Sequence, residues 1–297
     1  MRFDWYQTTI EANPMVVLEE VRKLGHSVSI NDKAARQWRY SQGWDIEHRD
    51  RGVVARVFAG GNGLHPHALA TGSEAEEFAC LVRDKWPQTH LVTRCDAAQD
   101  FNEAGAYRRL KRVARRVAKR HGLKFPAIED QLNPTAGRTQ YVGSPSSNYR
   151  ARIYEKGFEE LGKLQALYMR QGFNVTPESV VTITNSITGE QVRPEDWTRA
   201  ELQCRPPQES SRRAAAVLTP QEIWGCSPWA LDLAKEAMAL DLERIVMRTR
   251  KISKDEEALR WMCKNYGNML SRLHSDLGDW PCVGLEIGRI LKDQARD

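Results

Sequence analysis

Three stretches of this chain carry side chains suited to chemistry on a phosphodiester: "VTRCDAAQD" (Val92–Asp100), "NYRARIYEKG" (Asn148–Gly157) and "WTRAELQCRP" (Trp197–Pro206). Successive side chains of a strand point to opposite faces. Alternation therefore groups Arg94, Asp96, Ala98 and Asp100 on one face, then Arg150, Arg152, Tyr154 and Lys156, then Arg199, Glu201, Gln203 and Arg205. The opposite faces are small or apolar, through Cys95, Ala97, Ala151, Ile153, Leu202 and Cys204. If the three strands share a sheet, the charged faces make one surface of carboxylates, cations and a phenol. Carboxylates such as Asp96, Asp100 and Glu201 suit an oxygen-loving divalent cation, Mg²⁺ or Mn²⁺. Arg152 and Lys156 could hold non-bridging phosphate oxygens. Tyr154 could attack, provided neighbouring cations and a metal favour its phenolate. Glu155 points away from Tyr154 by the same alternation and is left off the metal set. A plainer account stays open: a tyrosine on a solvated cationic sheet, with Glu201 in cross-strand ion pairs with neighbouring arginines.

The elements that must position these groups can be traced along the chain. Phe3–Ile10 reads as an opening strand and Val16–Leu24 as a short helix. A strand pair is expected around Asp50-Arg51-Gly52. Ser73–Asp84 reads as a helix with a Ser73/Glu76 capping box. Ala104–His121 reads as a helix whose apolar stripe is Leu110, Val113, Ala114 and Val117. A hairpin over Arg138–Gly157 follows, then a helix near Glu159–Gln171, and short strands flanking "SITG". Two further capping boxes are read at Thr219–Glu222, with Pro220 at the first helical position, and at Ser253–Glu256. The pattern predicts an α+β fold: a largely antiparallel sheet, in two halves over Phe3–Phe101 and Arg138–Arg205, flanked by helices. Residues 214–297 read as three or four helices. A soft boundary near Pro206–Ser211 divides a domain over 1–210 from a helical segment over 211–297. Four tryptophans of that segment, at 224, 229, 261 and 280, are expected in the core.

Bulk properties narrow the function. The chain has 297 residues, and at 41% hydrophobic and 28% charged it can bury a core. No apolar run is long enough to span a membrane, and the N-terminus lacks a signal-peptide core. A cytoplasmic location is expected. Six cysteines without C-x-x-C spacing predict scattered reduced thiols. The net charge of +5 is concentrated: Arg108–Lys124 holds nine Lys/Arg and no acid, which leaves the remainder at −4. Arg108, Arg109, Lys111, Arg112, Arg115, Arg116, Lys119 and Arg120 form the expected phosphate-tracking face of the basic helix. His65-Pro66-His67, in a Gly-rich stretch, reads as a loop or strand edge because proline cannot donate to a ladder. No Gly-Lys-Ser/Thr follows those glycines, which excludes a P-loop.

Tyr141-Val142-Gly143-Ser144, Arg152-Ile153-Tyr154-Glu155-Lys156, Arg94-Cys95-Asp96 with Asp100, and Arg199-Ala200-Glu201-Leu202 together resemble the strand motifs of the trans-acting rolling-circle replication initiators of plasmids and filamentous phages, in the same order along the chain. "FDWYQTTI" and "IWGCSPWALDLA" are similar to the ends of bacterial members. The resemblance implies a tyrosine nucleophile at Tyr154 and metal carboxylates at Asp96 and Glu201, with Asp100 as a further candidate. It implies nicking of double-stranded origin DNA with an exposed single strand, a 5′-phosphotyrosine, and a 3′ hydroxyl that primes a host polymerase behind a host helicase. It leaves homodimer formation open. The alternative function is a non-catalytic origin-binding protein, a repressor or copy-control factor, on the same scaffold. A metal-free tyrosine recombinase fits poorly, because Tyr154 is mid-chain on a predicted strand.

Overall fold

A computed structural model describes residues 1–173, 176, 179–247 and 254–294. The chain divides into two compact units, Met1–Arg248 and Thr249–Asp297.

The first unit is built on one antiparallel sheet of ten strands. Its N-terminal half comprises β1 (Arg2–Ile10), β2 (Ser27–Ile30), β3 (Gln42–His48), β4 (Gly52–Ala59), β5 (His67–Thr71) and β6 (His90–Asn102). Its second half comprises β7 (Ala127–Glu129), β8 (Arg138–Val142), β9 (Tyr149–Tyr154) and β12 (Trp197–Cys204). The spatial order is β2-β3-β4-β5-β1-β6-β12-β9-β8-β7. The two expected halves are thus fused into a single sheet through the β6–β12 pair, in which Asp96 faces Gln203 and Asp100 faces Arg199. A separate two-stranded sheet is made of β10 (Ile183–Thr184) and β11 (Gln191–Val192). The six cysteines are free thiols, and among the described residues no helix is long and apolar enough to cross a membrane.

One sheet face builds the main core. Phe3, Tyr6 and Ile10 of β1, Cys95 and Ala97 of β6, Ala200 and Leu202 of β12, and Ala151 and Ile153 of β9 belong to one buried cluster. After the short helices α1 (Pro14–Val21) and α2 (Asp32–Gln37), helices α3 (Glu74–Lys85) and α4 (Ala106–Arg120) close it with Phe78, Val82, Leu110, Val113 and Val117. These α4 positions recur at three- and four-residue spacing, which lines one side of a helix. Helices α6 (Glu209–Val217), α7 (Pro220–Gly225) and α8 (Pro228–Met238) contribute Ala215, Trp224 and Leu233 to the same cluster. The compact unit therefore runs past the boundary read near Pro206–Ser211, because these helices bury their apolar sides on the sheet.

Several local expectations are refined. The Thr219/Glu222 capping box forms on both sides. The Ser73/Glu76 box does not: Ser73 makes no capping bond. Glu76 Oε2 instead accepts from the Phe3 backbone N–H at 2.7 Å, satisfying a donor at the start of β1. The Ser253/Glu256 box lies outside the described residues. In the second unit, α9 (Lys254–Leu277) and α10 (Trp280–Gln294) leave Trp261 and Trp280 exposed, whereas Trp224 and Trp229 of the first unit are buried.

Helix α5 (Lys156–Arg170) begins three residues earlier than expected, directly after β9. Its first turn is seated on the segment that leads into β12: a Cβ on Gly157 would lie 2.1 Å from the Pro194 carbonyl oxygen. Backbone cannot move aside as a flexible side chain can, so only glycine fits. We expect Gly157→Ala to destabilise the protein by roughly 1–3 kcal/mol, measured by urea denaturation; an unchanged midpoint would show that this contact gives way.

Candidate active site

The face opposite the main core carries the three stripes, and the register brings them together. On β12, Glu201 lies between Ala98 of β6 and Arg152 of β9, and Arg199 lies between Asp100 and Tyr154. Asp96 is 0% exposed, Arg199 and Glu201 1%, and Tyr154 6%. Charged groups so deeply placed persist only when paired.

Arg199 is the main partner. Its Nε and Nη2 donate to Asp100 at 2.7 and 3.0 Å, and its Nη1 donates to Asp4 Oδ1 at 2.8 Å. Trp197 Nε1 adds a bond to Asp100 at 3.1 Å. Burial alone would raise the Asp4 pKa, but Arg199 and then Arg2 hold it below its ordinary value. Sequence reasoning missed Asp4. The β1–β6 register shifts between Phe3 and Trp5, so Phe3 and Tyr6 both reach the core although three residues apart, and Asp4 between them reaches Arg199. A bulge of this kind re-phases alternation. The signal for it was an aspartate set among the aromatics Phe3, Trp5 and Tyr6 of the opening strand.

Asp96 is gripped by Arg94, whose Nε donates at 2.9 Å and whose guanidinium lies over the Trp5 ring at 3.9 Å. Glu201 has Arg152 Nη2 2.7 Å from Oε2, a close ion pair. The contact is misaligned, and this buried oxygen has no hydrogen bond among the described residues. Burial, and then the neighbouring Asp96, push the Glu201 carboxyl up to about 8; Arg152 works in the opposite direction. The Tyr154 phenol is also raised, first by burial and then by Glu201, against the cations Arg199 and Arg152. The protein's own groups therefore favour the protonated phenol: desolvation and Glu201 outweigh the adjacent cations Arg199 and Arg152.

Other groups stand apart. Lys156 leaves the stripe, since α5 starts there, and its Nζ meets Glu159 and Glu160 at 2.6 and 2.7 Å. Glu155 points away as expected and binds Arg138, whose Nε donates at 2.9 Å. His65 is exposed. His67 is buried, opens β5 inside the sheet rather than at an edge, and lies 3.3 Å through Nδ1 from Thr9 Oγ1. The two histidines do not converge.

The basic helix α4 packs on the core face, so the sheet separates it from Tyr154. Arg109 is bonded to Glu103 and to the Ala237 carbonyl. Arg116 and Arg120 pair with Glu236, and Arg120 also with Asp232. Arg108, Arg112, Arg115 and Lys119 are exposed, and Lys111 lies 5.6 Å from the Tyr107 ring.

Among the described residues no group of three or more His, Cys, Asp or Glu side chains is arranged to hold a metal ion. Of the three expected carboxylates, Glu201 alone is without a bidentate arginine. Asp96 and Glu201 repel each other across the face, and Glu201 Oε2, though ion-paired with Arg152, makes no aligned hydrogen bond among the described residues. Asp96 and Asp100 each have both oxygens bonded to an arginine, Arg94 and Arg199 respectively, so a cation at either carboxylate would have to displace a guanidinium.

No family model and no curated protein matches the chain. Among solved structures, it is similar to one titled "Structure of Rolling Circle Replication Initiator Protein from Geobacillus stearothermophilus", at 21% identity and a TM-score of 0.46, covering 86% of this chain and 89% of that one.

Two outcomes test this geometry. Arg199→Met should cost roughly 3–5 kcal/mol, because Asp4 and Asp100 would be left buried without their cation; a loss well below that in chemical denaturation would show that water replaces it. For Glu201, the folded pKa of about 8 lies above the ordinary 4.5. Its contribution is thus fully present below pH 4.5 and is lost as pH rises through 8. In EDTA, Glu201→Gln should be more stable than wild type at pH 9 by several degrees of Tm; equal values would place the carboxylate in water.

Proposed function

We propose that the chain initiates rolling-circle replication by nicking and rejoining origin DNA through Tyr154. The observation that carries this reading is the convergence of Tyr154, Arg152, Glu201 and Asp96 on one buried polar sheet face. The order of the motifs along the chain supports it further.

Tyr154 Oη would attack the scissile phosphorus. A bond forms from phosphorus to Oη, the bond to the 3′ oxygen breaks, and the leaving oxygen takes a proton to become the 3′ hydroxyl. Attack by a 3′ hydroxyl on the phosphotyrosine reverses the step and rejoins the strand. The raised phenol pKa means that the phenolic proton would pass to a water as Oη attacks, and Arg152 and Arg199 would offset the negative charge that builds on Oη. Arg152, whose guanidinium lies 5.0 Å from the Tyr154 ring, can also bind a non-bridging oxygen. Asp96 and Glu201 would hold Mg²⁺ or Mn²⁺. That ion, when bound, supplies positive charge against the charge developing on the phosphate. On this reading the product 3′ hydroxyl serves a host polymerase, with a host helicase ahead of it. The exposed cations of α4 would track duplex phosphates on the other side of the sheet.

A second reading is favoured by one observation: Tyr154 is buried, with its phenol pKa raised, while Arg94 occupies Asp96. A non-catalytic origin-binding protein would tolerate both. Single-stranded oligonucleotides tiled across the replicon that encodes the chain, incubated with Mn²⁺ and run on a denaturing gel, separate the two. The nicking reading expects a covalent adduct that is lost in Tyr154→Phe and in EDTA. It expects Asp96→Ala and Glu201→Ala to lower cleavage at least about a hundredfold, the scale of one lost electrostatic group, with DNA binding retained. Binding without cleavage by the wild-type protein would support the second reading. For α4, Arg112→Glu with Arg115→Glu should weaken duplex binding and flatten its salt dependence by about 0.9 per lost phosphate contact; an unchanged slope would place the duplex elsewhere.

A further inference from the structure

The polar face continues beyond Glu201 to cations that cleavage leaves unused. Arg150 of β9 pairs in register with Gln203 of β12. Arg205 follows two residues later, its backbone N–H donating to the Asn148 carbonyl at 2.8 Å. Arg94 approaches from β6, two residues before Asp96, which faces Gln203 from the other side. Guanidinium groups from three neighbouring chain segments therefore gather at one end of the stripe.

Their commitments differ. Among the described residues, Asp96 and Glu201 pair with Arg94 and Arg152, and no carboxylate pairs with Arg150 or Arg205. Arg205 is exposed, and its guanidinium donates to the Pro145 carbonyl across a long 3.5 Å. Arg150 lies over the Tyr141 ring at 3.8 Å, which fixes its plane. Its Nε is buried and has no acceptor among the described residues, as is also true of Arg152 Nε. A buried donor left unmade costs about 1–3 kcal/mol, so both groups call for an acceptor from outside. A cavity of about 90 Å³ opens beside them, lined by Tyr141, Arg150, Ala151, Arg152, Glu201 and Gln203. Burial, and then Arg94 and Arg150, lower the pKa of Arg205, and the neighbouring Asp96 offsets them only in part.

Fixed guanidinium planes with free N–H edges match the tetrahedral oxygens of a phosphodiester. The level of Arg150 and Gln203 lies one same-face step, about 7 Å, along the strands from the level of Arg152 and Glu201. That step is comparable with the spacing of consecutive phosphates on an extended strand. We propose that Arg150 and Arg205, with Arg94 behind them, form a second phosphate subsite, which holds the phosphodiester next to the scissile one on the same single strand. The subsite deepens the nicking reading and rests on it for the identity of the strand. Its function is to fix the strand's register, so that only one phosphate can sit at Tyr154.

The test is binding in EDTA, where no cleavage is needed. Fluorescence anisotropy of a short labelled single-stranded oligonucleotide is followed over a range of salt concentrations. Arg150→Gln with Arg205→Gln should raise Kd about tenfold, the equivalent of about 1.4 kcal/mol, and reduce the salt slope by about 0.7 per lost phosphate contact. Arg205→Lys, which keeps the charge, should fall between wild type and the double variant. Arg205→Gln alone, at an exposed position, guards against loss of fold and should weaken binding in the same direction. Wild-type affinity and slope in Arg205→Gln and the double variant, with unchanged circular dichroism, would overturn the subsite. Adduct formation through Tyr154, measured separately with Mn²⁺, reports the nicking reading: an adduct with unaltered binding in these variants removes the subsite alone, whereas weakened binding without an adduct leaves the subsite and removes the nicking.

Discussion

A single guanidinium sets the geometry of the polar face. Arg199 sits at the centre of the sheet, almost wholly out of water, and bonds at once to β1 through Asp4 and to β6 through Asp100. An uncompensated charge at that depth would be prohibitive, so the three strands are tied in one register. Shifting β12 by one residue would bury Leu202 among the acids and send Glu201 into the apolar core. The position of every other group on the face follows from that constraint.

The same face is poised between stability and reactivity. Asp4, Asp96, Asp100 and Glu201 crowd one surface, and three of them are answered by arginine with good geometry. Glu201 is the exception: its ion pair is misaligned and its pKa is pushed up. A fold seeking stability alone would gain by replacing it with an uncharged group. Retained strain of this sort is characteristic of sites whose electrostatics serve a ligand rather than the fold.

The sheet also partitions charge. Its core face is roofed by α4, whose outer side is cationic, while the inner network of acids and arginines occupies the other face. In the proposed function these would meet different parts of one DNA molecule: the duplex on the helix, the exposed strand on the face with the phenol. The +5 net charge is thus an average over two surfaces of different character.

The sequence by itself determined what depends on short periods. Alternation fixed which side of each strand is charged, and three- and four-residue spacing fixed which side of α4 is buried, because both are set by local backbone geometry. The Thr219 cap was legible for the same reason. The tertiary structure decided whatever depends on neighbours distant along the chain. It joined the two half-sheets through β6 and β12, brought Asp4 to Arg199 across 195 residues by means of a bulge, and started α5 at Lys156 so that this lysine left the stripe. It also raised the phenol pKa of Tyr154, since desolvation and the approach of Glu201 exist only once the strands are paired. Local pattern chooses the face a side chain takes; only packing decides what it meets there and in which protonation state.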